Sequence, residues 1–234
     1  MATINYSLQR LDIDEGERAH IQRAIASLRD EFEIRDKKIL ELGSGTGYNL
    51  SLFLPDNKVL GVEGLADAAE AANKLGVSTI VANLEHPLPL SDGDYDWVLC
   101  MDVLEHLVAP EIALKEAYRM LKQDGKLLIN VPNHFTLMGR LRILGGDGIH
   151  WNNFFPNSQD WNNPHVRFFT LASIYGLLSS CGFRVVRDCS SVSTAVPMSQ
   201  ELRHMGMGWF VERLARKSTS LFCGGFLLLA ERES

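Results

Sequence analysis

A short apolar run, KILEL at 38–42, gives way at once to three glycines at alternate positions, Gly43, Gly45 and Gly47. Glycine reaches positive φ freely and leaves no side chain where another group must approach the backbone. The apolar run predicts a buried strand, and the stretch 46–54, stopped by Pro55, predicts the helix after it. The same alternation continues along the chain. Strands are expected at 58–62, 78–82, 95–101, 126–131, 183–188 and 221–230, with helices at 14–32, 66–75, 110–121 and 171–181. Strands alternating with helices mean an α/β fold with a parallel sheet covered on both faces.

At 234 residues, 46% of them hydrophobic, the chain is expected to form a single domain with a sizeable core, residues 1–35 serving as a helical cover. A net charge of −6 provides no global field to attract nucleic acid. Cys100, Cys181, Cys189 and Cys223 include no CxxC pair, and the N-terminus has no apolar core after a basic stretch, so a reducing, cytoplasmic setting is expected. No apolar run reaches the roughly 18 residues that a membrane span needs.

The glycine loop sits at the carboxyl end of the first strand, where open α/β sheets bind ligands. A dinucleotide fingerprint would place its third glycine at 48, which is Tyr48, and the loop has no lysine followed by serine or threonine for a nucleoside triphosphate. Glu63, at the end of the second strand, can accept hydrogen bonds from both hydroxyls of an unmodified ribose. Glu41, just before the loop, repels a pyrophosphate and suits a cationic or amino-bearing group. A ribose and a positive charge without phosphates describe S-adenosylmethionine.

The motifs ELGSGTG (41–47), GVEG (61–64), ANLE (82–85), DYDWVLCMDVLEHL (94–107) and LKQDGKLLINVPN (121–133) follow one another in this order. In them the chain resembles the class I S-adenosylmethionine-dependent methyltransferases over roughly residues 36–190, small-molecule types such as the ubiquinone-pathway O-methyltransferases in particular. The resemblance implies a Rossmann-like seven-stranded, mostly parallel sheet with an antiparallel last strand and helices on both faces. It implies that Glu41, Gly43, Ser44 and Gly45 border the methionine part of the cofactor, with Gly47, Tyr48 and Asn49 beside them. Glu63 and Gly64 would hold the ribose, Asn83 and Leu84 the adenine, and Met101 and Asp102 would flank the methyl. S-adenosylhomocysteine would be the product. It also leaves open a cofactor-binding accessory protein without turnover.

Asp102, Glu105 and His106 lie at i, i+3 and i+4, so a helical turn opened by Asp102 would put all three on one side. Such a trio can hold a divalent metal, as the ExxEH version in related methyltransferases does, with His134, His150 or His165 adding a ligand. The favoured expectation is no metal, with His106 or His165 as the base for a protonated acceptor and Asp102 beside the methyl. In PHVRFFT (164–170), Thr170 is expected to cap a helix, with His165 and Arg167 near the pocket mouth.

Two stretches interrupt the alternation, 133–170, with Trp151, Phe154, Phe155 and Trp161, and 190–220, with Trp209 and Phe210. Stretches this long are expected to be lids or substrate-side insertions, the aromatic residues forming either a stacking surface or a satellite core. The segment 199–217 permits a lid helix, a dimer contact or a peripheral membrane contact, the lid being favoured. The expected partner is a small-molecule acceptor, with neither nucleic acid nor an integral membrane segment, and the chain a monomer or homodimer.

Overall fold

The computed structural model describes residues 15–146, 148–149, 165–192 and 199–233. The strands are β1 (Lys38–Leu42), β2 (Lys58–Glu63), β3 (Thr79–Val81), β4 (Tyr95–Met101), β5 (Leu121–Pro132), β6 (Phe183–Asp188) and β7 (Gly225–Arg232). They form one sheet in the order β3-β2-β1-β4-β5-β7-β6. β7 runs antiparallel to β5 and β6, whereas the pairs from β3 across to β5 are parallel. The expected seven-stranded sheet with an antiparallel last strand is the one observed.

Successive strand residues face opposite sides, so the apolar strands feed two cores. Leu40, Leu42, Val98, Cys100 and Ile129 pack on one face with α4 (Pro110–Met120) and α6 (Leu171–Ser180). Ile39, Trp97, Leu99 and Leu128 pack on the other with α1 (Glu15–Glu31), through Ile21, Ala24, Ile25 and Leu28. Each such aliphatic side chain contributes about 1.5–3 kcal/mol by leaving water. Arg187 of β6 adds a two-pronged bond to Glu31 of α1, 2.8 Å on each arm. Pro110 opens α4, where its missing N–H costs nothing. Thr170 caps α6 as expected, in a reciprocal box with Ser173.

Four elements differ from the sequence reading, the first being β5, which begins at Leu121 rather than at 126. The helix after the glycine loop is only α2 (Tyr48–Ser51): left-handed Gly47 delays its start, and beyond Ser51 the chain continues in tighter turns, the amides of Phe53 and Leu54 donating to the carbonyls of Leu50 and Ser51. Residues 221–222, read as strand, close the short helix α9 (Thr219–Phe222), and β7 begins only at Gly225. The single helix expected over 199–217 is two, α7 (Ser199–His204) and α8 (Gly208–Lys217), with Gly206 at φ +77 between them. Within 133–170 the chain adds a helix, α5 (Leu137–Leu144), and the alanine-rich helix α3 spans Ala66–Lys74. The aromatic residues Trp151, Phe154, Phe155 and Trp161, with His150, lie outside the described residues. No helix among the described residues is long and apolar enough to cross a membrane.

Candidate functional site

The carboxyl ends of β1 to β5 share one edge of the sheet, and the expected site residues gather there. After β1, Gly43, Gly45 and Gly47 take φ of +72, +53 and +78, the region in which a side chain is strained. A Cβ on Gly43 would stand 2.3 Å from Val103, whereas one on Gly45 would meet nothing within 4 Å. The loop is tied to β2 by the amides of Gly43 and Ser44, which both donate to the Val62 carbonyl.

Glu63 reaches back across this loop. One carboxylate oxygen accepts from the Gly45 amide at 2.8 Å, and the other from the Leu65 amide at 2.9 Å. A carboxylate has about four lone-pair positions, so two remain for hydroxyl donors. Glu41 is fully buried at the end of β1, and Asn49 of α2 donates to it at 2.8 Å. Leu84 is buried beside the exposed Asn83. Asn83 Oδ1 accepts from the Glu85 amide at 2.9 Å, and Glu85 in turn accepts from the amides of Val108 and Ala109, fastening the loop after β3 to the loop after β4.

The trio read from Asp102, Glu105 and His106 does not form. Asp102 has φ +54 and stands outside the helical turn, which covers only Leu104–His106. Asp102 is instead held by Asn130 of β5, whose side-chain amide donates to it at 2.5 Å. Sequence reasoning passed over Asn130; the signal was an amide inside the otherwise apolar run of β5.

Glu105 and His106 are joined by His165 rather than by Asp102. The amides of Val166 and Arg167 donate to the Glu105 carbonyl at 2.8 and 3.0 Å, which brings the later segment against the turn. Ring centroids of His106 and His165 lie 4.7 Å apart, and His106 Nε2 is 3.8 Å from Glu105 Oε1. His165 Nδ1 shares a hydrogen bond of 2.8 Å with His134 Nε2. Burial lowers the His134 pKa to about 4, so this imidazole is neutral at physiological pH. Glu105, His106 and His165 offer atoms within 4.8 Å of one another, close enough to share a metal ion. Arg167, expected near the pocket mouth, donates to the Val108 carbonyl.

Residues 17–188 match the methyltransferase-domain family Methyltransf_23. The chain belongs to this methyltransferase family. It is 29% identical over 176 residues to a probable S-adenosylmethionine-dependent methyltransferase of Mycolicibacterium smegmatis, covering 73% of the chain and 61% of the relative. It is 28% identical over 124 residues to the ubiquinone biosynthesis O-methyltransferase of Glaesserella parasuis, covering 48% and 52%. The chain spans about half the length of the curated relatives it matches. A structure of the complex between the Haloferax volcanii Trm112 methyltransferase activator and its methyltransferase superposes with a TM-score of 0.63 at 18% identity, covering 94% and 92% of the two chains.

Membership in the methyltransferase family implies S-adenosylmethionine as the cofactor, and the residues at the sheet edge fit such a group. Ser44 Oγ is buried without a hydrogen-bond partner among the described residues, and Gly45 faces open space. Glu63 keeps acceptor positions for hydroxyls, and the buried Glu41 carboxylate favours a cationic neighbour over an anionic one.

Proposed function

We propose that this methyltransferase domain transfers a methyl group from S-adenosylmethionine to a small-molecule acceptor. The carrying observation is the pair of carboxylates around the glycine loop, Glu63 holding the Gly45 amide and Glu41 buried beneath, with no lysine placed for a phosphate. In this reading Glu63 and Gly64 hold the ribose, and Glu41, Gly43, Ser44, Gly45, Gly47, Tyr48 and Asn49 surround the methionine part. Asn83 and Leu84 face the adenine, and Met101 and Asp102 border the reacting end. The chain works as one domain, as a monomer or homodimer, with 133–170 and 190–220 on its substrate side.

When bound, the cofactor supplies a methyl group on a sulfonium, already activated toward displacement by an oxygen, nitrogen or carbon nucleophile. The protein's share is then chiefly to hold the acceptor in line and to exclude water. For a hydroxyl acceptor, His106 or His165 takes the proton, Glu105 beside His106 favouring the imidazolium that forms. In this reading the three groups act on protons rather than as metal ligands, although His165 keeps Nε2 while its Nδ1 is engaged with His134. The ubiquinone biosynthesis relative supports a small-molecule acceptor.

Incubation with radiolabelled S-adenosylmethionine and a metabolite extract tests this reading. Label passing to a small metabolite, and continuing after treatment with a chelator, is the expected result. Tight cofactor binding with no transfer to anything would favour the accessory reading. Transfer abolished by the chelator would move Glu105, His106 and His165 to the role of metal ligands.

A further inference from the structure

Helix α5 carries Leu137, Met138, Leu141, Ile143 and Leu144 within eight residues, yet none of its residues is buried. Leu144 is 84% exposed. A helix with five apolar side chains in eight residues ordinarily buries some of them, and an exposed apolar patch marks a surface that another body meets. Its charged side chains are Arg140 and Arg142, with no carboxylate among them. Both are exposed.

A second helix at the same edge repeats the composition. α8 packs inward through Val211 and Ala215, while Trp209 stands 63% exposed near Arg213, Arg216 and Lys217, with Glu212 as the helix's one acid. The two helices share an edge because Asn133, just before α5, donates its side-chain amide to the carbonyls of Ser220 and Cys223, just after α8. A chain of net charge −6 thus carries two exposed helices, each apolar and basic, at the edge that holds the candidate site.

We infer that this edge docks onto a membrane surface bearing anionic lipid headgroups. The apolar side chains of α5 and Trp209 enter the boundary between headgroups and acyl chains, and the arginines meet the lipid phosphates. A second copy set against the same face would bring arginine against arginine, which disfavours a symmetric pair. The inference goes beyond the methyl-transfer reading and does not depend on it. Together the two place the mouth of the site toward the bilayer, within reach of an acceptor dissolved in lipid.

Flotation of the full chain with vesicles tests the inference. Vesicles of phosphatidylcholine alone are compared with an equal mixture of phosphatidylcholine and phosphatidylglycerol. Binding to the mixture, little binding to phosphatidylcholine alone and release by salt are expected. Arg140→Ala and Arg142→Ala should each weaken binding about fivefold. The double variant Leu141→Ser, Leu144→Ser should lose most of it while eluting from gel filtration as the native chain does.

Absence of binding to the mixture, equal binding to neutral vesicles, or undiminished binding by the double serine variant would overturn the inference. So would conversion of a native dimer to monomer by that variant, which would make this face a contact between copies. S-adenosylhomocysteine binding is measured on the same samples. Its failure would strike the methyl-transfer reading and leave the flotation result standing.

Discussion

Asn130 holds Asp102 from two sides, its side-chain amide donating to Asp102 Oδ1 at 2.5 Å and its carbonyl accepting from the Asp102 amide at 2.9 Å. The pair keeps Asp102 at φ +54, a conformation few side chains adopt without such support. Replacing the buried amide in Asn130→Leu leaves Asp102 without that donor and should cost about 1–3 kcal/mol. Urea unfolding measures the loss. The same variant should bind S-adenosylhomocysteine more weakly, because Asp102 borders the proposed cofactor site.

The glycine loop separates space from strain. Gly43→Ala meets both, a Cβ 2.3 Å from Val103 and a φ of +72, and should be destabilised by roughly 1–3 kcal/mol or more. Gly45→Ala has open space and bears only the strain of φ +53, so it should cost about 1 kcal/mol. The new methyl would stand where the cofactor is expected. Thermal unfolding should therefore rank Gly43→Ala below Gly45→Ala, while both lose cofactor affinity. Equal stability in the two variants would count against this geometry.

His134 ties stability to pH. Its folded pKa, about 4, lies below the ordinary 6.5, and burial is the cause. The unfolded chain then binds this proton more readily than the folded one, so stability is full above about 6.5 and falls as pH drops toward 4. The loss from this one group is at most about 3 kcal/mol. Its neighbours in the cluster are His165, hydrogen-bonded to it, and His106 and Glu105 beyond, with Phe168 packed on its ring. Unfolding midpoints at pH 7 and pH 5 should converge in His134→Gln relative to the native chain.

Much of this fold is legible in the order of its residues. β4 and β6 carry apolar runs bounded by turn residues, and their observed limits are the expected ones. The ends failed where one residue's backbone overrides pattern: Gly47 and Gly206 in the left-handed region shorten or split helices that the apolar spacing reads as continuous. The same holds for Asp102, whose spacing to Glu105 and His106 suits one helical face but whose positive φ takes it elsewhere. The union of His165 with His106 depends on amides 166 and 167 meeting the Glu105 carbonyl, a contact across some 60 residues that no local period records. α5 was hidden as well, since its apolar residues, none of them buried, follow no single helical face.

In the proposed function, the loop from Glu41 to Gly47, closed by Glu63, holds S-adenosylmethionine. Calorimetric titration with S-adenosylhomocysteine, on the native chain and on Glu63→Ala, tests it most directly. The variant loses the acceptor of the Gly45 and Leu65 amides as well as the proposed ribose contact, so saturable binding by the native chain and at least about tenfold weaker binding by the variant are predicted. No heat of binding in a folded native chain, or equal affinity in the two, would contradict it.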